Sequence, residues 1–160
     1  MLSEGLELAG AFLVDKPKEE LTQQGHRATG ELIDSINYKV DGGVLYVQTP
    51  KDYVKAMENG LPKGHKVPIS ALIRWIEVKG IASGDVEVKQ AAWAIRAAII
   101  REGSPTKGAF KYTSNSRRTG FAEVVIDQYT KKVLLIIQQQ IGKSIRNIIS
   151  NEVKYINSIN

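Results

Sequence analysis

Cysteine is absent from the sequence, and that one absence removes disulfides, thiolate metal ligands and a thiol nucleophile together. A reducing cytoplasm, or a particle assembled there, is the compartment this fits. Histidine is scarce: His26 and His65 are the two in the chain. Neither has a partner at His-x-x-x-His or Glu-x-x-His spacing, so no imidazole metal site within one chain is expected. His65 lies in a Lys-Gly-His-Lys loop where solvent-exposed polarity accounts for it, and His26 reads as a surface or boundary residue of a helix. Glycine is plentiful, yet no Gly-x-x-x-x-Gly-Lys-Ser/Thr or Gly-x-Gly-x-x-Gly turn joins a strand to a helix, which leaves nucleotide binding without support. No apolar run approaches the ~20 residues that span a bilayer. Acids rather than bases occupy Met1 to Asp15, unlike a secretory leader. The expectation is a soluble structural or binding subunit, not an enzyme, with no metal, cofactor, membrane contact or small-molecule substrate.

What is present is charge, unevenly placed. The 160 residues suit one domain with its own core, and the formal net charge is +5. Residues 1–36 hold seven acids against three bases, whereas Arg101 to Arg118 holds five bases against the single acid Glu102. Besides scattered solvated charge, two readings stay open: an anionic partner for the basic part, or one copy's acidic end meeting the next copy's basic loop.

Leu2, Leu6, Ala9 and Leu13 recur at helical spacing, and Pro17 restarts the chain as a first-turn proline. Two consecutive N-terminal helices are expected, the second running towards Ile36 across Gly25 and Gly30. Ile36, Tyr38 and Val40 then alternate with polar neighbours, Asp41-Gly42-Gly43 tolerates positive φ, and Leu45, Val47 and Thr49 alternate again, predicting a β-hairpin. Tyr53 to Gly60 reads as a short apolar element, followed by a loop to Val67. A helix capped by Ser70 carries Ile69, Leu72, Ile73 and Ile76 on one face and stops at Gly80. A longer helix from about Val86 to Glu102 has Val88, Ala92, Ile95 and Ile99 on one side, with Trp93 and Ile100 more than about 100° away, a second apolar patch. From Phe121 the chain reads as one long helix, with a possible bend at Gly142. Its stripe of Leu134, Ile137, Ile141, Ile145, Ile148, Tyr155 and Ile159, interrupted by Glu152, is longer than one small domain covers. No internal repeat or low-complexity tract is present.

The acid pair Glu19-Glu20, and Asp85 with Glu87, read as first-turn residues that complement helix dipoles. In the loop after Gly103, Phe110 and Tyr112 interleave with Lys107, Lys111, Arg117 and Arg118. That pattern suits phosphate contacts with stacking, an acidic protein surface, or the lining of a passage for DNA. No helix-turn-helix or RNA-reading signature accompanies it. Trp93 with Ile100 is either covered by a loop or presented to another subunit, with Lys89 and Arg96 able to lay their stems across it.

The order of Thr29-Gly30-Glu31-Leu32 with Ser35-Ile36, Tyr53 through Glu58-Asn59-Gly60, Pro68-Ile69 to Arg74-Trp75-Ile76, Lys79-Gly80-Ile81, Ala91 to Arg101 with Trp93-Ala94-Ile95, and Gly103 through Phe110 resembles the neck and tail-completion (head-tail joining) proteins of tailed bacteriophages. The resemblance covers about residues 29–110. It implies an α+β subunit, with helices packed on a small antiparallel sheet, assembled as a homo-oligomeric ring between portal and tail. It brings no catalytic residues. The resulting expectation is a core over residues 1–120 and a long C-terminal helix over 121–160, packed on the core or on neighbouring subunits. Trp93, Ile100, Ile141, Ile145, Ile148 and Tyr155 are the candidate interface residues. Arg101, Lys107, Lys111, Arg117 and Arg118 are the candidates for facing DNA or an acidic surface. Partners would be the chain itself, portal, adaptor or other neck and tail proteins, and DNA contacted nonspecifically in the lumen; the location would be the virion, assembled in the host cytoplasm. The alternative is a small DNA-binding module using the Lys107–Arg118 loop.

Overall fold

The computed structural model describes residues 2–159. It is an α+β fold of helices packed on a small antiparallel sheet, with one long C-terminal helix. The N-terminal helices are α1 (Leu2–Leu13) and α2 (Asp15–Gln23). Pro17 sits in the first turn of α2, where its missing N–H costs nothing. The second helix does not reach Ile36. It stops at Gln23 because Gly25 and Gly30 both take positive φ, 73° and 90°, and the chain re-enters helix only for α3 (Glu31–Ser35). The expected run to Ile36 is thus broken at these glycines.

The hairpin is β1 (Asn37–Asp41) paired antiparallel with β2 (Val44–Gln48), with Asp41 opposite Val44. Its two-residue turn, Gly42-Gly43, has φ of 56° and 79°, the double positive φ that a twist-matched hairpin turn requires. Helix α1 lies across this sheet and touches the C-terminal helix with another face. Gly10 makes the approach to the sheet possible: a Cβ there would overlap the Tyr38 ring and come within 2.8 Å of Leu45 Cδ1.

Next come α4 (Val54–Asn59), α5 (Ile69–Lys79) and α6 (Asp85–Glu102). Ser70 does not cap α5. Pro68 holds the cap position with no side-chain bond, and Ser70 is already inside the helix. Gly80 ends α5 in the left-handed conformation, donating back to Glu77 and Ile76 carbonyls. The facing sides of α5 and α6 bury Leu72, Ile76, Val88, Ala92 and Ile99 as one cluster. Leu61 and Ser104 exchange both backbone hydrogen bonds, at 2.9 and 2.8 Å, tying the loop before α5 to the end of α6. A second cluster, Leu21, Leu32, Ile36 and Phe121, joins α2 and α3 to the start of α7 (Phe121–Ile159). Between α6 and α7, Lys107–Tyr112 forms a 3₁₀ turn.

Candidate assembly surfaces

Helix α7 has 39 residues, about 58 Å at 1.5 Å per residue. Its start is firmly rooted. Phe121, Val124 and Val125 are buried, and the Glu58 carboxylate of α4 accepts from the Ala122 and Glu123 amides at 2.9 and 3.3 Å. The Glu58 carbonyl also accepts from Gly120 N at 2.8 Å. One acidic residue from another helix therefore satisfies two of the orphan donors of α7 and places a carboxylate at the positive end of its dipole.

The middle of α7 runs antiparallel to α1. Phe12 meets the Tyr129 ring edge-on at 5.8 Å, with Lys16 Nζ 5.4 Å from both ring centres. A Cβ at Gly5 would come within 3.3 Å of Ile137 Cα. Tyr129 opposite Phe12 and Ile137 opposite Gly5 together bring the first turn of α1 alongside residues near 140, so α7 continues beyond the end of α1. It passes Gly142 without interruption.

Beyond that point nothing among the described residues covers it. Ile141 is half-buried, but Ile145, Ile148 and Tyr155 are exposed, at 46%, 50% and 65%. Ile149, Val153 and Ile156 are equally open and widen the face beyond the single stripe of Ile141, Ile145, Ile148 and Tyr155. At 100° per residue these apolar positions fill an arc of about 160°, wider than the seam of a two-stranded coil. Glu152 lies in the middle of the arc and Arg146 about 20° beyond its Val153 edge, whereas Asn147, Ser150 and Lys154 lie on the opposite side.

Of the second expected patch, Trp93 is open to solvent at 57%, with no loop over it, and Arg96 rests its guanidinium 5.2 Å from the ring centre. Ile100 is half-buried, and its carbonyl accepts from Gly64 N at 2.8 Å.

The five cations of the basic segment do not form one surface. Arg101 is paired with Glu102 at 2.6 Å, and Arg101, with the Lys107 amide, holds the Glu102 carboxyl below its usual range. Lys107 and Arg117 are exposed, and Lys111 lies 4.9 Å from the centre of the exposed Tyr112 ring. Arg118 turns inward. It is partly buried and donates to the Gln24 carbonyl at 2.6 Å, and burial lowers its pKa.

This inward turn belongs to a polar junction that the sequence did not announce. Glu20 is buried in the second half of α2 rather than complementing its dipole, and its Oε1 accepts from Gln24 Nε2 and Asn115 Nδ2, each at 2.8 Å. Gln24 Nε2 also donates to the Thr119 carbonyl at 3.1 Å. His26, outside α2, donates Nε2–H to the Arg118 carbonyl at 2.9 Å. Burial first, and then the charge of Arg118, lowers the His26 pKa to about 4. Lys79, from the end of α5, donates to the Gly25 and Arg27 carbonyls. The junction fastens residues 113–119 and α5 to the turn after α2.

Above it, a cleft of about 520 Å³ opens between α5 on one side and α3 and α4 on the other. Leu32, Met57, Leu72, Trp75 and Ile95 line it, with Arg74, Arg118 and His26 at its edges. Arg74 reaches Glu31 at 3.5 Å, but its side chain stays 74% exposed, and Glu31 is shared with Lys51 at 3.2 Å. Among the described residues, no group of three or more His, Cys, Asp or Glu is placed to hold a metal ion. No protein-family model matches the chain, and no curated protein or solved structure matches it.

Proposed function

We propose that the chain is a structural virion protein of the phage neck, a tail-completion or head-tail joining subunit that forms a homo-oligomeric ring between portal and tail. The observation that carries this reading is the uncovered end of α7: six large apolar side chains on one helical face with no cover from the other described residues. Each such side chain contributes about 1.5–3 kcal/mol when fully buried, so this face favours association with another surface. The order of motifs over residues 29–110 supplies the neck identity, and the opposed charges of residues 1–36 and 101–118 suit the unlike surfaces that meet in a ring.

The work is assembly rather than turnover, with portal, adaptor or other neck and tail proteins as neighbours and DNA passing through the ring. The DNA-binding alternative loses strength because Arg101 and Arg118 are engaged by Glu102 and the Gln24 carbonyl. The test is mass spectrometry and antibody-labelled electron microscopy of purified particles from the source. The chain is expected at a stoichiometric, fixed copy number at the head-tail junction. Particles that are complete and infectious without it would refute the proposal.

A further inference from the structure

The uncovered end of α7 and the cleft beside α5 complement one another, yet they lie at opposite ends of the same helix. Arg118 and Thr119, which line the cleft, immediately precede the α7 root. Glu152 is 31 residues beyond Phe121, about 45 Å along a rigid helix. The helix therefore cannot fill the cleft of its own chain.

The chemistry of the two surfaces matches. The helix end presents a broad apolar face with a carboxylate, Glu152, near its centre and Arg146 at one edge. The cleft presents apolar walls with the cations Arg74 and Arg118 and a neutral His26 against one acid, Glu31. Arg118 is turned inward on the Gln24 carbonyl, whereas Arg74, although it reaches Glu31, keeps 74% of its side chain exposed and open to a second carboxylate. A cleft of about 520 Å³ takes the side chains of a helix face rather than a whole helix, as in helix-in-groove recognition. Parallel in-register pairing of two α7 ends would instead set one Glu152 against another at the centre of the apolar contact.

We propose that residues 145–156 of one subunit dock into the cleft formed by α3, α4 and α5 of the next copy, with Glu152 meeting Arg74. This rests on the homo-oligomer reading above and names its contact. The surfaces are unlike, so the contact is heterologous. Repeated head to tail, it closes into a ring if the rotation allows and gives a filament if it does not.

Because the natural chain has no cysteine, introduced thiols cross-link only where they are placed. Full-length Glu152→Cys and Arg74→Cys chains carrying different affinity tags are mixed and oxidised. A disulfide between the two variants, absent when either is oxidised alone, is the expected product. In sedimentation, Arg74→Glu and Glu152→Arg are each expected to weaken self-association tenfold or more, and mixing the two reversed chains is expected to restore it. Far-UV circular dichroism checks that each variant folds. Predominant Glu152→Cys homodimers, a chain that stays monomeric at the cross-linking concentration, or charge reversals that fail to compensate would each overturn the docking. So would saturation of the cleft by oleate, an apolar carboxylate, with no effect on association. Rings at the head-tail junction that lack the Arg74–Glu152 contact would leave the neck reading standing and remove this one. The contact forming in a chain absent from virions would do the reverse.

Discussion

Glu58 shows how much one side chain can position. Its carboxylate and carbonyl together hold Gly120, Ala122 and Glu123, so the entry angle of the longest helix depends on a residue of a six-residue helix. Glu58→Ala is expected to cost about 1 kcal/mol, the usual loss for a helix cap with its dipole contribution, seen as a melting temperature lower by about 2–4 °C. His26 makes a pH-dependent contribution. Its folded pKa, about 4, lies below the ordinary value near 6.5. Above that ordinary value both folded and unfolded states are neutral and the fold keeps its full stability. As pH falls from about 6.5 towards 4 the unfolded chain takes up a proton that the folded site, beside Arg118 and Lys79, resists, and stability is lost. Urea unfolding at pH 7 and pH 5 should differ by about 1 kcal/mol from this residue, after discounting for partial exposure. His26→Gln should remove that share of the pH dependence, and an unchanged slope would show that the imidazole charges freely in the fold.

Among the elements, α7 divides into a part that stabilises the fold and a part that does not. From Phe121 to about Ile141 it packs on α1, α2 and α4, and among the described residues of this helix the buried ones all lie in its first five positions. From Ile145 to Ser158 its side chains are exposed. Ending the chain after Lys143 is therefore expected to leave monomer stability within about 0.5 kcal/mol, as for other exposed positions. The same truncation should abolish self-association, read by sedimentation alongside thermal melting. A large fall in melting temperature at concentrations where the full chain is monomeric would contradict this division. Helix α1 is positioned by small residues instead: Gly5 against α7 and Gly10 against Tyr38 and Leu45 let one helix contact two partners at close range.

For the whole molecule, the relevant electrostatic feature is the difference between formal and available charge. The basic segment holds five cations in sequence, but Arg118 turns inward and Arg101, although exposed, is paired with Glu102, which leaves Lys107, Lys111 and Arg117 exposed and without a carboxylate partner among the described residues. Each phosphate neutralised on duplex DNA contributes a slope of about −0.9 to log Kobs against log salt. Binding to duplex DNA through this loop should therefore show a slope no steeper than about −3. Arg118→Gln should lower thermal stability more than it lowers DNA affinity. A steeper slope, or one that falls by a full phosphate in Arg118→Gln, would restore the inward-turned arginine to the binding surface.

Elements with strong local signals were legible from the sequence alone. The alternation around Gly42-Gly43, the stop at Gly80 and the long apolar period after Phe121 are each decided within a few residues of chain, and the α+β class that the resemblance implied is the one the structure has. The width and openness of the α7 end were half legible: Ile145, Ile148 and Tyr155 stood out by spacing, whereas Ile149, Val153 and Ile156 became part of the same face only when it was left uncovered. What only the tertiary structure decided depends on residues far apart in the chain. Gly25 and Gly30 ended α2 where a run to Ile36 was expected. Glu20 became a buried acceptor because Asn115, 95 positions away, reaches it. Arg118 lost its role as a surface cation because the Gln24 carbonyl, 94 positions away, accepts from it. Residue type and spacing specify which groups can pair; the packing of α2, α5 and the 113–119 segment determines which of those pairs form and which charges remain available to a partner.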